Sequence, residues 1–573
     1  HPTTHNQHIP AQPTSLPPPT VHPSSHSSPV LLNSPLRRRP GRPRRATVPT
    51  PPPEPYDPEP VQVTPAPHIP IRTASPHIPP DLRRTFSLAF AEVTNRLLDS
   101  LGTISTVQHQ AIRTEFLRLP VRFFPSWDHR PHHGESRVPQ NRDMDRQTNP
   151  DSQARRIHAI LRRGNLSRAV RTLDDNAYVP PSADTRDRLL DLHPQCQLPP
   201  PLTPLIPTHI NGDVFHKIIK NLPGGSAAGP SGWAFEHICA VCLTTEQGMA
   251  AGLNLTNACL GGRLPFWPEI LSARLLALGK PTGGLRPIAI GEAWMRIFSK
   301  CAAKLGGHFT ASLPPTQLGV GVSGGAQSLA HAARAFLTSD SAHVAIKVDF
   351  RNAFNTLDRS HLLRTVAESL PHLGAFVDWC YGRATPLVIS DTLPPLRSTT
   401  GVRQGDPLSP LLFAAGIHPV LQRTLASSPA AHILSYLDDV FIFGTPAAVK
   451  MAFTHLTGEA RLIGLEVNTH KCCVFGFNTL QLPSLAAELE IHPALHGFMV
   501  AGTPIGSPSF IQTHLANESE AIHCHLHRLD SLPVRLQDKL LLLRKSFQWR
   551  WVFLAGTLPL TDILPHNLIR GVG

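Results

Sequence analysis

The stretch that decides the fold is AHILSYLDDVFIF at residues 431–443, where two acidic residues separate two apolar runs. Runs rich in Ile, Leu, Val and Phe on both sides of a short polar break are typical of a β-hairpin. The break holds Asp438 and Asp439, so the pattern places both carboxylates at the tip of the hairpin. Acidic pairs are common in solvated turns, and the surrounding segments therefore decide whether this pair has a function.

A second acidic site lies upstream, in VAIKVDFRNAF at residues 344–354. An apolar strand ends here in Asp349, and Phe354 follows five residues later. Nucleotidyl transfer needs two divalent cations about 3.5–4 Å apart, which activate the attacking 3′-hydroxyl and hold the triphosphate. Hard oxygen ligands suit Mg²⁺. We therefore treat Asp349, Asp438 and Asp439 as candidate catalytic residues and candidate metal ligands.

A polar loop lies between the two acidic sites, in GVRQGDPLSPLLF at residues 401–413. Gly405 permits a close approach of the backbone to a ligand. Ser409 followed by Pro410 is a helix start signal, with Ser409 as N-cap and Pro410 at the first helical position. Pro419 should kink the following helix or end it early. Such a loop suits the floor beneath a template base and an incoming nucleotide.

In this order, the segments resemble the motifs of reverse transcriptases, in particular those of non-LTR retrotransposons. The resemblance covers about residues 271–506. Three motifs belong to the palm of such enzymes: the first acidic motif at Lys347–Phe354, the Gln-Gly-Asp-Pro-Leu-Ser-Pro motif at Gln404–Pro410 and the aromatic-x-Asp-Asp motif at Tyr436–Asp439. Residues 278–288 resemble the fingers motif, 464–471 the next palm motif and 500–506 the primer-gripping hairpin. One departure is Leu437, where the family usually has a small residue; a larger one bears on fidelity or template contact.

The resemblance implies a role for each candidate residue. Asp349 and Asp438 would be the principal ligands of two Mg²⁺ ions, or of Mn²⁺, with Asp439 assisting. Phe354 would be a steric gate that collides with a ribose 2′-hydroxyl; the alternative is a core aromatic residue. The nucleotide-binding candidates are Lys280, Arg286, Arg351, Phe354, Gln404, Gly405 and Lys471, and Gly502 and Gly506 would grip the primer. For Lys280, Arg286 and Lys471, the alternative is a solvated surface charge.

The function that the resemblance implies is that of an RNA-directed DNA polymerase, a nucleotidyltransferase that adds deoxynucleotides to a primer 3′-hydroxyl. Its partners would be an RNA template, a DNA primer and dNTPs. RNA-dependent RNA polymerases share the pattern but usually carry Asp where this chain has Phe354, so Phe354 favours DNA synthesis. A further alternative is a decayed retroelement fragment that only binds nucleic acid.

The expected fold class is α+β, with the right-hand architecture of a polymerase. We expect fingers at residues 256–339, a palm at 340–510 and a partial, helical thumb at 511–573. Apolar residues recur at helical spacing from Leu82 onward, so a helical N-terminal extension is expected at 82–255. The chain begins with His1 rather than Met, and we expect it to be a fragment or a processed product.

Residues 1–81 differ in composition, being rich in Pro, Ser, Thr and His. Such a segment cannot bury a core, and a disordered Pro-rich arm is predicted. Its basic run RRRPGRPRR at residues 37–45 resembles an AT-hook, an extended element whose arginines enter the narrow minor groove of A·T-rich DNA. The alternatives are a nuclear localisation signal and a solvated basic run. The candidate DNA-binding residues are Arg39, Gly41, Arg42 and Arg44.

The bulk composition agrees with a nucleic-acid partner. The chain has 573 residues and a formal net charge of +13, and such a surplus favours an anionic partner. Nine cysteines are too few for a disulfide scaffold, so we expect reduced thiols in an intracellular protein, with the nucleus as its location. Cys239 and Cys242 lack a second ligand pair and favour core cysteines over a zinc site. No long apolar run occurs, so neither a transmembrane helix nor a membrane partner is expected.

Overall fold

The computed structural model describes residues 69–103, 105–125, 157–158, 178–202, 205–280, 283–531, 534–544 and 548–559. All of these residues belong to the unit that spans residues 58–573. The AT-hook-like run at residues 37–45, and with it the predicted arm up to residue 68, lies outside the described residues.

The helices of the described residues are numbered here in chain order. They are α1 (Arg83–Asp99), α2 (Thr106–Phe123), α3 (Ala183–Asp191), α4 (Gly212–Lys220), α5 (Phe235–Thr244), α6 (Glu246–Leu260), α7 (Ala293–Leu305), α8 (Gly325–Ser339), α9 (Ala353–Thr356), α10 (Arg359–Ser369), α11 (Gly374–Tyr381), α12 (Ser409–Ser427), α13 (Pro446–Arg461), α14 (Leu482–Glu488), α15 (Pro508–Ser531), α16 (Leu536–Leu542) and α17 (Gln548–Thr557).

The strands of the same part of the chain are numbered in the same way. They are β1 (Tyr178–Val179), β2 (Ala273–Gly279), β3 (Leu285–Gly291), β4 (Val344–Val348), β5 (Thr385–Val388), β6 (Leu396–Ser398), β7 (His432–Tyr436), β8 (Asp439–Gly444), β9 (Cys473–Phe475), β10 (His492–Pro493), β11 (Gly497–Val500) and β12 (Thr503–Gly506).

The sheet that carries the acidic motifs has the strand order β10-β9-β4-β8-β7. β7 and β8 form the predicted hairpin, with Tyr436 opposite Asp439, and β8 also pairs antiparallel with β4. Successive side chains of a strand point to opposite faces. On β4, Ile346 packs with residues of α12 and α13, whereas Ala345 packs with residues of α8 and of the β11–β12 hairpin. Both faces of this sheet are therefore covered, which explains why its strands are almost continuously apolar.

A second sheet has the order β1-β2-β5-β6, with β3 paired to the other part of β2. β2 and β3 form an antiparallel hairpin in which Leu278 lies opposite Arg286. β5 runs parallel to β2, although it follows β2 by about a hundred residues. The sheet combines strands from the ranges expected for the N-terminal extension, the fingers and the palm, and those domain limits remain a prediction.

The described part of the expected N-terminal extension is helical apart from β1, as its apolar spacing predicts. Its centre is a cluster of aromatic rings in which Phe90 of α1 stacks on Trp294 of α7, with centroids 5.2 Å apart and planes 5° apart. Phe116 of α2 and Trp233 stack in the same cluster. These rings belong to the same hydrophobic core as the inner residues of β4 and β8. The N-terminal helices therefore share one hydrophobic core with the sheet that carries the acidic motifs.

Two parts of the prediction for α12 were wrong, namely Ser409 as the N-cap and an early end of the helix at Pro419. Its N-cap is Leu408, and Ser409 is the first helical residue, with its hydroxyl 3.2 Å from the hydroxyl of Tyr381. The helix also continues eight residues beyond Pro419, to Ser427. Proline removes one backbone hydrogen bond from a helix, and buried residues on both sides of Pro419 hold this helix in the core. Tertiary packing therefore outweighs the local penalty.

Two expected absences concern membranes and zinc. None of the helices in the described ranges combines the length and the apolarity that crossing a membrane requires. Cys242 on α5 is buried in the core and Cys239 is half-buried beside it, as expected for core cysteines.

Candidate active site

The ends of adjacent strands bring the acidic residues together. Asp349 follows directly after β4, Asp438 lies in the turn of the β7–β8 hairpin, and Asp439 is the first residue of β8. Val348 pairs with Val440, and the same antiparallel register continued by one residue places Asp349 beside Asp439. Residues about ninety positions apart in the chain therefore meet at one edge of the sheet.

The charges at this edge are unfavourable without a cation. Burial raises the pKa of Asp438, and the neighbouring carboxylates of Asp439 and Asp349 raise it further, against the effect of Arg286. Burial also raises the pKa of Asp349, as does Asp439, whereas Lys471, Lys347 and Lys280 lower it. Desolvation and like charge both disfavour ionised carboxylates. A bound divalent cation would relieve both effects.

Three of the basic residues predicted to bind the triphosphate converge on the acids. Lys280 lies at the turn between β2 and β3, with its backbone N–H donating to Gly284 at 3.1 Å. Burial lowers the pKa of Lys280, and the charges of Lys471 and Arg286 lower it further, whereas Asp349 raises it. These three cations come from two distant parts of the chain, and each of them lies near enough to Asp349 or Asp438 to lower the pKa of that carboxyl.

Arg351 behaves differently from the other basic candidates. Its guanidinium forms a surface ion pair with Glu466, with 3.4 Å between Nη1 and Oε1. The backbone N–H of Arg351 donates to the carbonyl of Glu466 at 2.8 Å. The structure therefore places the guanidinium of Arg351 beside Glu466.

Phe354 lies on the short helix α9 and stacks on Phe413 of α12, with ring centroids 4.7 Å apart and planes 14° apart. The ring is half-buried against the main core. The carbonyl of Phe354 accepts a hydrogen bond from the N–H of Val402 at 2.7 Å. Phe354 is thereby joined to the loop of residues 401–406.

The same loop contacts the fingers strand β3. The carbonyl of Gln404 accepts a hydrogen bond from the N–H of Ala289 at 2.9 Å. The side-chain Oε1 of Gln404 is buried and has no hydrogen-bond partner among the described residues. Gly405 has a φ of 117°, and a Cβ at this position would lie 2.5 Å from the carbonyl oxygen of Ala289. The loop therefore bridges α9 and β3, which suits the floor of a nucleotide pocket.

The predicted primer hairpin is formed by β11 and β12. Val500 lies opposite Thr503, and the two turn residues Ala501 and Gly502 have φ values of 47° and 86°. Positive φ at both positions is the usual geometry of a two-residue hairpin turn. Lys347 of β4 donates to the carbonyl of Met499 at 3.4 Å. This bond ties the hairpin that contains Gly502 to the strand that ends at Asp349. Gly506, at the other end of the hairpin, pairs with Gly497.

The three aspartates fit a divalent metal by their chemistry. Carboxylate oxygens are the hard ligands that Mg²⁺ requires, and burial and neighbouring carboxylates raise the pKa values of Asp349 and Asp438. Within the described ranges, no three Asp, Glu, His or Cys side chains stand close enough together to hold a metal ion as they are placed. The carboxylates would have to turn toward a common ion.

The sequence patterns did not predict the polar residues that form hydrogen bonds to the backbone of the segments carrying the candidate site. The side-chain amide of Gln317 is completely buried and contacts the backbone of Leu437. The N–H of Asn468 donates to the carbonyl of Asp349 at 2.7 Å. The buried guanidinium of Arg359 donates to the carbonyls of Gly401 and Ser398. A polar residue beside Leu318 was the available signal for Gln317, but it is equally typical of a solvated loop.

Comparison with known proteins gives a consistent picture. Residues 278–489 match the family model described as reverse transcriptase (RNA-dependent DNA polymerase). The chain is 27% identical over 268 residues to the retrotransposable element SLACS 132 kDa protein of Trypanosoma brucei gambiense, an alignment that covers 45% of this chain and 22% of that protein. It is 28% identical over 165 residues to the retrovirus-related Pol polyprotein from type-1 retrotransposable element R2 of Nasonia vitripennis, which covers 27% and 16% respectively.

A further relative is a reverse transcriptase-like protein of Chlamydomonas reinhardtii, 24% identical over 254 residues, or 40% of this chain and 65% of that protein. The chain thus aligns with less than a quarter of the length of the two retrotransposon proteins.

Proposed function

Residues 278–489 form a reverse transcriptase domain of the non-LTR retrotransposon type, and from this premise we propose that the chain is an active RNA-directed DNA polymerase. The observation that carries the proposal is the meeting of Asp349, Asp438 and Asp439 at one sheet edge, surrounded by basic residues from the fingers and the palm. The substrates are dNTPs, an RNA template and a DNA primer.

The mechanism assigns each group a task. Asp349, Asp438 and Asp439 would hold two Mg²⁺ or Mn²⁺ ions, which supply activation of the primer 3′-hydroxyl and neutralisation of phosphate charge. Lys280, Arg286 and Lys471 bind the triphosphate and stabilise the charge that develops on it. The 3′-oxygen attacks the α-phosphorus, a new P–O bond forms, and the bond to the β-phosphate breaks to release pyrophosphate. The loop of residues 401–406 holds the nucleotide in line for this attack.

The decisive test is primer extension by the purified chain, with RNA and DNA templates compared and deoxynucleotides compared with ribonucleotides. We expect extension with dNTPs on RNA, and a loss of at least about a thousandfold in Asp438→Asn, because electrostatic stabilisation at the reacting centre is removed. Template–primer binding should persist in this variant. Glu459→Gln is the matched control, since Glu459 is a carboxylate that pairs with Arg423 on the surface.

Two outcomes would contradict the proposal in different ways. A wild-type chain that binds template–primer but extends nothing would indicate a decayed element that only binds nucleic acid. Full activity in Asp438→Asn would show that the acidic edge is not the catalytic centre.

We further propose that Phe354 excludes ribonucleotides. Its stacking on Phe413 limits the positions of the ring, as a steric gate requires. Phe354→Val should increase incorporation of ribonucleotides relative to deoxynucleotides, measured as the ratio of kcat/KM values. Phe413→Leu loosens the same stack without shortening residue 354, and it should raise the ratio less than Phe354→Val does. An unchanged ratio in Phe354→Val would indicate that Phe354 serves only in packing.

The basic run near the N-terminus supports a separate proposal. Arg39, Gly41, Arg42 and Arg44 would bind A·T-rich DNA through the minor groove, and the same run would direct the chain to the nucleus. Replacing the three arginines with alanine should weaken binding to an A·T-rich duplex more than to a G·C-rich one. Equal weakening on both duplexes would favour a merely electrostatic contact.

A further inference from the structure

A segment outside the named strands runs along the edge of the catalytic sheet. β7 is an edge strand, and residues 316–319 cover it. The N–H of Leu318 donates to the carbonyl of Ser435 at 2.8 Å, and the hydroxyl of Ser435 donates to the carbonyl of Thr316 at 2.6 Å. Thr316, Gln317 and Ser435 are all buried. The segment therefore pairs with β7 up to the position where the acidic turn begins.

Gln317 extends this pairing into the turn with its side chain. Its Oε1 accepts a hydrogen bond from the N–H of Leu437 at 2.8 Å, and its Nε2 donates to the carbonyl of Leu437 at 3.2 Å. The same Oε1 accepts from the N–H of Gly319 at 2.9 Å. A primary amide can donate and accept at once, so this side chain replaces a neighbouring strand for one residue.

The residue held in this way has an unusual backbone. Leu437 has a φ of 57°, a left-handed conformation that is unfavourable for a residue with a Cβ. Such a conformation persists where the surrounding structure constrains it. The pairing of Tyr436 with Asp439 closes the turn around Leu437, and the two hydrogen bonds between Leu437 and Gln317 add to this constraint.

Gly319 permits the close approach. A Cβ on Gly319 would lie 2.7 Å from the backbone nitrogen of Leu437 and 2.9 Å from its Cγ. The side chain of Leu437 therefore packs against the segment of residues 316–319. This packing accounts for the large residue at a position where a small one was expected.

We propose that Gln317 is a positioning residue for the metal-binding carboxylate of Asp438. The carbonyl of Leu437 and the N–H of Asp438 belong to one planar peptide group, so a hydrogen bond to that carbonyl sets the plane from which Asp438 projects. Gln317 thus acts on the metal site through Leu437, without touching the metal or the substrate. The inference rests on the proposed function of this edge as a two-metal polymerase centre.

The test compares the chain with Gln317→Met, which keeps the length of the side chain and removes both hydrogen bonds to Leu437 together with the one from Gly319. Mn²⁺ binding, measured by electron paramagnetic resonance without substrate, should weaken by at least about tenfold. The amide of Leu437 should exchange with deuterium at least about tenfold faster. In primer extension, the Mg²⁺ concentration for half-maximal rate should rise while the KM for template–primer stays unchanged.

Asn257 offers a matched control. Its side-chain amide also holds the backbone of one residue, accepting from the N–H of Ile210 at 2.7 Å and donating to its carbonyl at 3.3 Å. Asn257 lies on α6 among the N-terminal helices. Asn257→Leu therefore removes an equivalent pair of bonds, and it should lower the melting temperature without changing Mn²⁺ affinity.

Two results would overturn the inference. One is a Gln317→Met variant that loses stability as Asn257→Leu does but keeps its affinity for Mn²⁺. The other is wild-type protein that binds no Mn²⁺ at all. If Gln317→Met does not fold, Gln317→Asn takes its place, since it keeps a primary amide but is one methylene too short to reach both backbone groups of Leu437. Metal binding and amide exchange are measured without substrate. A wild type that extends no primer would overturn the proposed function, whereas these two measurements would still decide the role of Gln317.

Discussion

The close contact between Gly405 and strand β3 predicts how much a side chain at residue 405 would lower the free energy of unfolding. Gly405 has a φ of 117°, which lies in a region that side-chain-bearing residues rarely adopt, at a cost of about 1–3 kcal/mol. In Gly405→Ala, the new Cβ would lie 2.5 Å from the carbonyl oxygen of Ala289, whereas real Cβ atoms essentially never approach closer than 3.0 Å. The loop must therefore move away from β3.

That movement has a further cost. The hydrogen bond from the N–H of Ala289 to the carbonyl of Gln404, 2.9 Å long, joins the same two segments. Its loss would add about 0.5–1.5 kcal/mol. The free energy of unfolding should therefore fall by about 2–4 kcal/mol in Gly405→Ala. If the proposed function is correct, the KM for dNTPs should also rise, because the displaced loop forms the floor of the nucleotide pocket.

Urea denaturation of three variants separates the contributions. Gly102 has a φ of 79° and no atom within 4 Å of a new Cβ, so Gly102→Ala measures backbone strain alone, about 1–2 kcal/mol. Gly458 lies on α13 with open space around it and no positive φ, and Gly458→Ala should stabilise the chain by about 0.5–1 kcal/mol. The reasoning is refuted if Gly405→Ala is no more destabilising than Gly102→Ala.

Three further predictions concern buried charges. Without divalent cations, Asp438→Asn should raise the melting temperature at pH 7. Burial raises the pKa of Asp438, so the wild type loses stability as the pH rises through that pKa. The difference in melting temperature between variant and wild type should therefore vanish in acid and shrink when Mg²⁺ is added. Burial raises the pKa of Glu292 from 4.5 to about 7. The wild type therefore loses stability as the pH rises from 4.5 to 7. In urea denaturation, Glu292→Gln should be more stable than the wild type by about 1–3 kcal/mol at pH 8 and as stable as the wild type near pH 4. Arg359 donates to the carbonyls of Gly401 and Ser398 at 3.1 and 2.9 Å and to the Ser398 hydroxyl at 2.7 Å. A lysine at this position cannot make all three bonds in the same geometry, so Arg359→Lys should lower the free energy of unfolding by about 3–5 kcal/mol. A loss below about 1 kcal/mol would contradict the stabilising role of this guanidinium.

Local patterns predicted the elements that carry the site. The apolar runs around Asp438 and Asp439 form the hairpin of β7 and β8, and the run before Asp349 forms β4. The helical patterns after Phe510 correspond to α15, α16 and α17. These predictions succeed because a continuous apolar run is typical of a strand that is buried on both faces, and because helical spacing records which face of a helix is buried. The expected early end of α12 at Pro419 was wrong, because buried residues on both sides of Pro419 hold the helix in the core despite the lost backbone hydrogen bond.

The placement of the basic residues could be predicted only in part. Lys280, Arg286 and Lys471 were named through their motifs, and the structure brings them to the acids. Arg351 was named in the same way, but its guanidinium pairs with Glu466 instead. A motif specifies the residue type and its position in the chain. The direction of a long side chain depends on the charges that tertiary structure places beside it.

The sequence by itself determined the order of strands, helices and acidic residues, because periodic burial and motif spacing are local properties of the chain. Only the tertiary structure decided which groups hold the turn that contains Asp438. Gln317 and Leu437 are 120 positions apart, and a side chain that bonds to a distant backbone leaves no periodic trace in either segment. The three aspartates are thus visible in the sequence, whereas the support that directs Asp438 depends on the packing of residues 316–319 against the edge of the sheet.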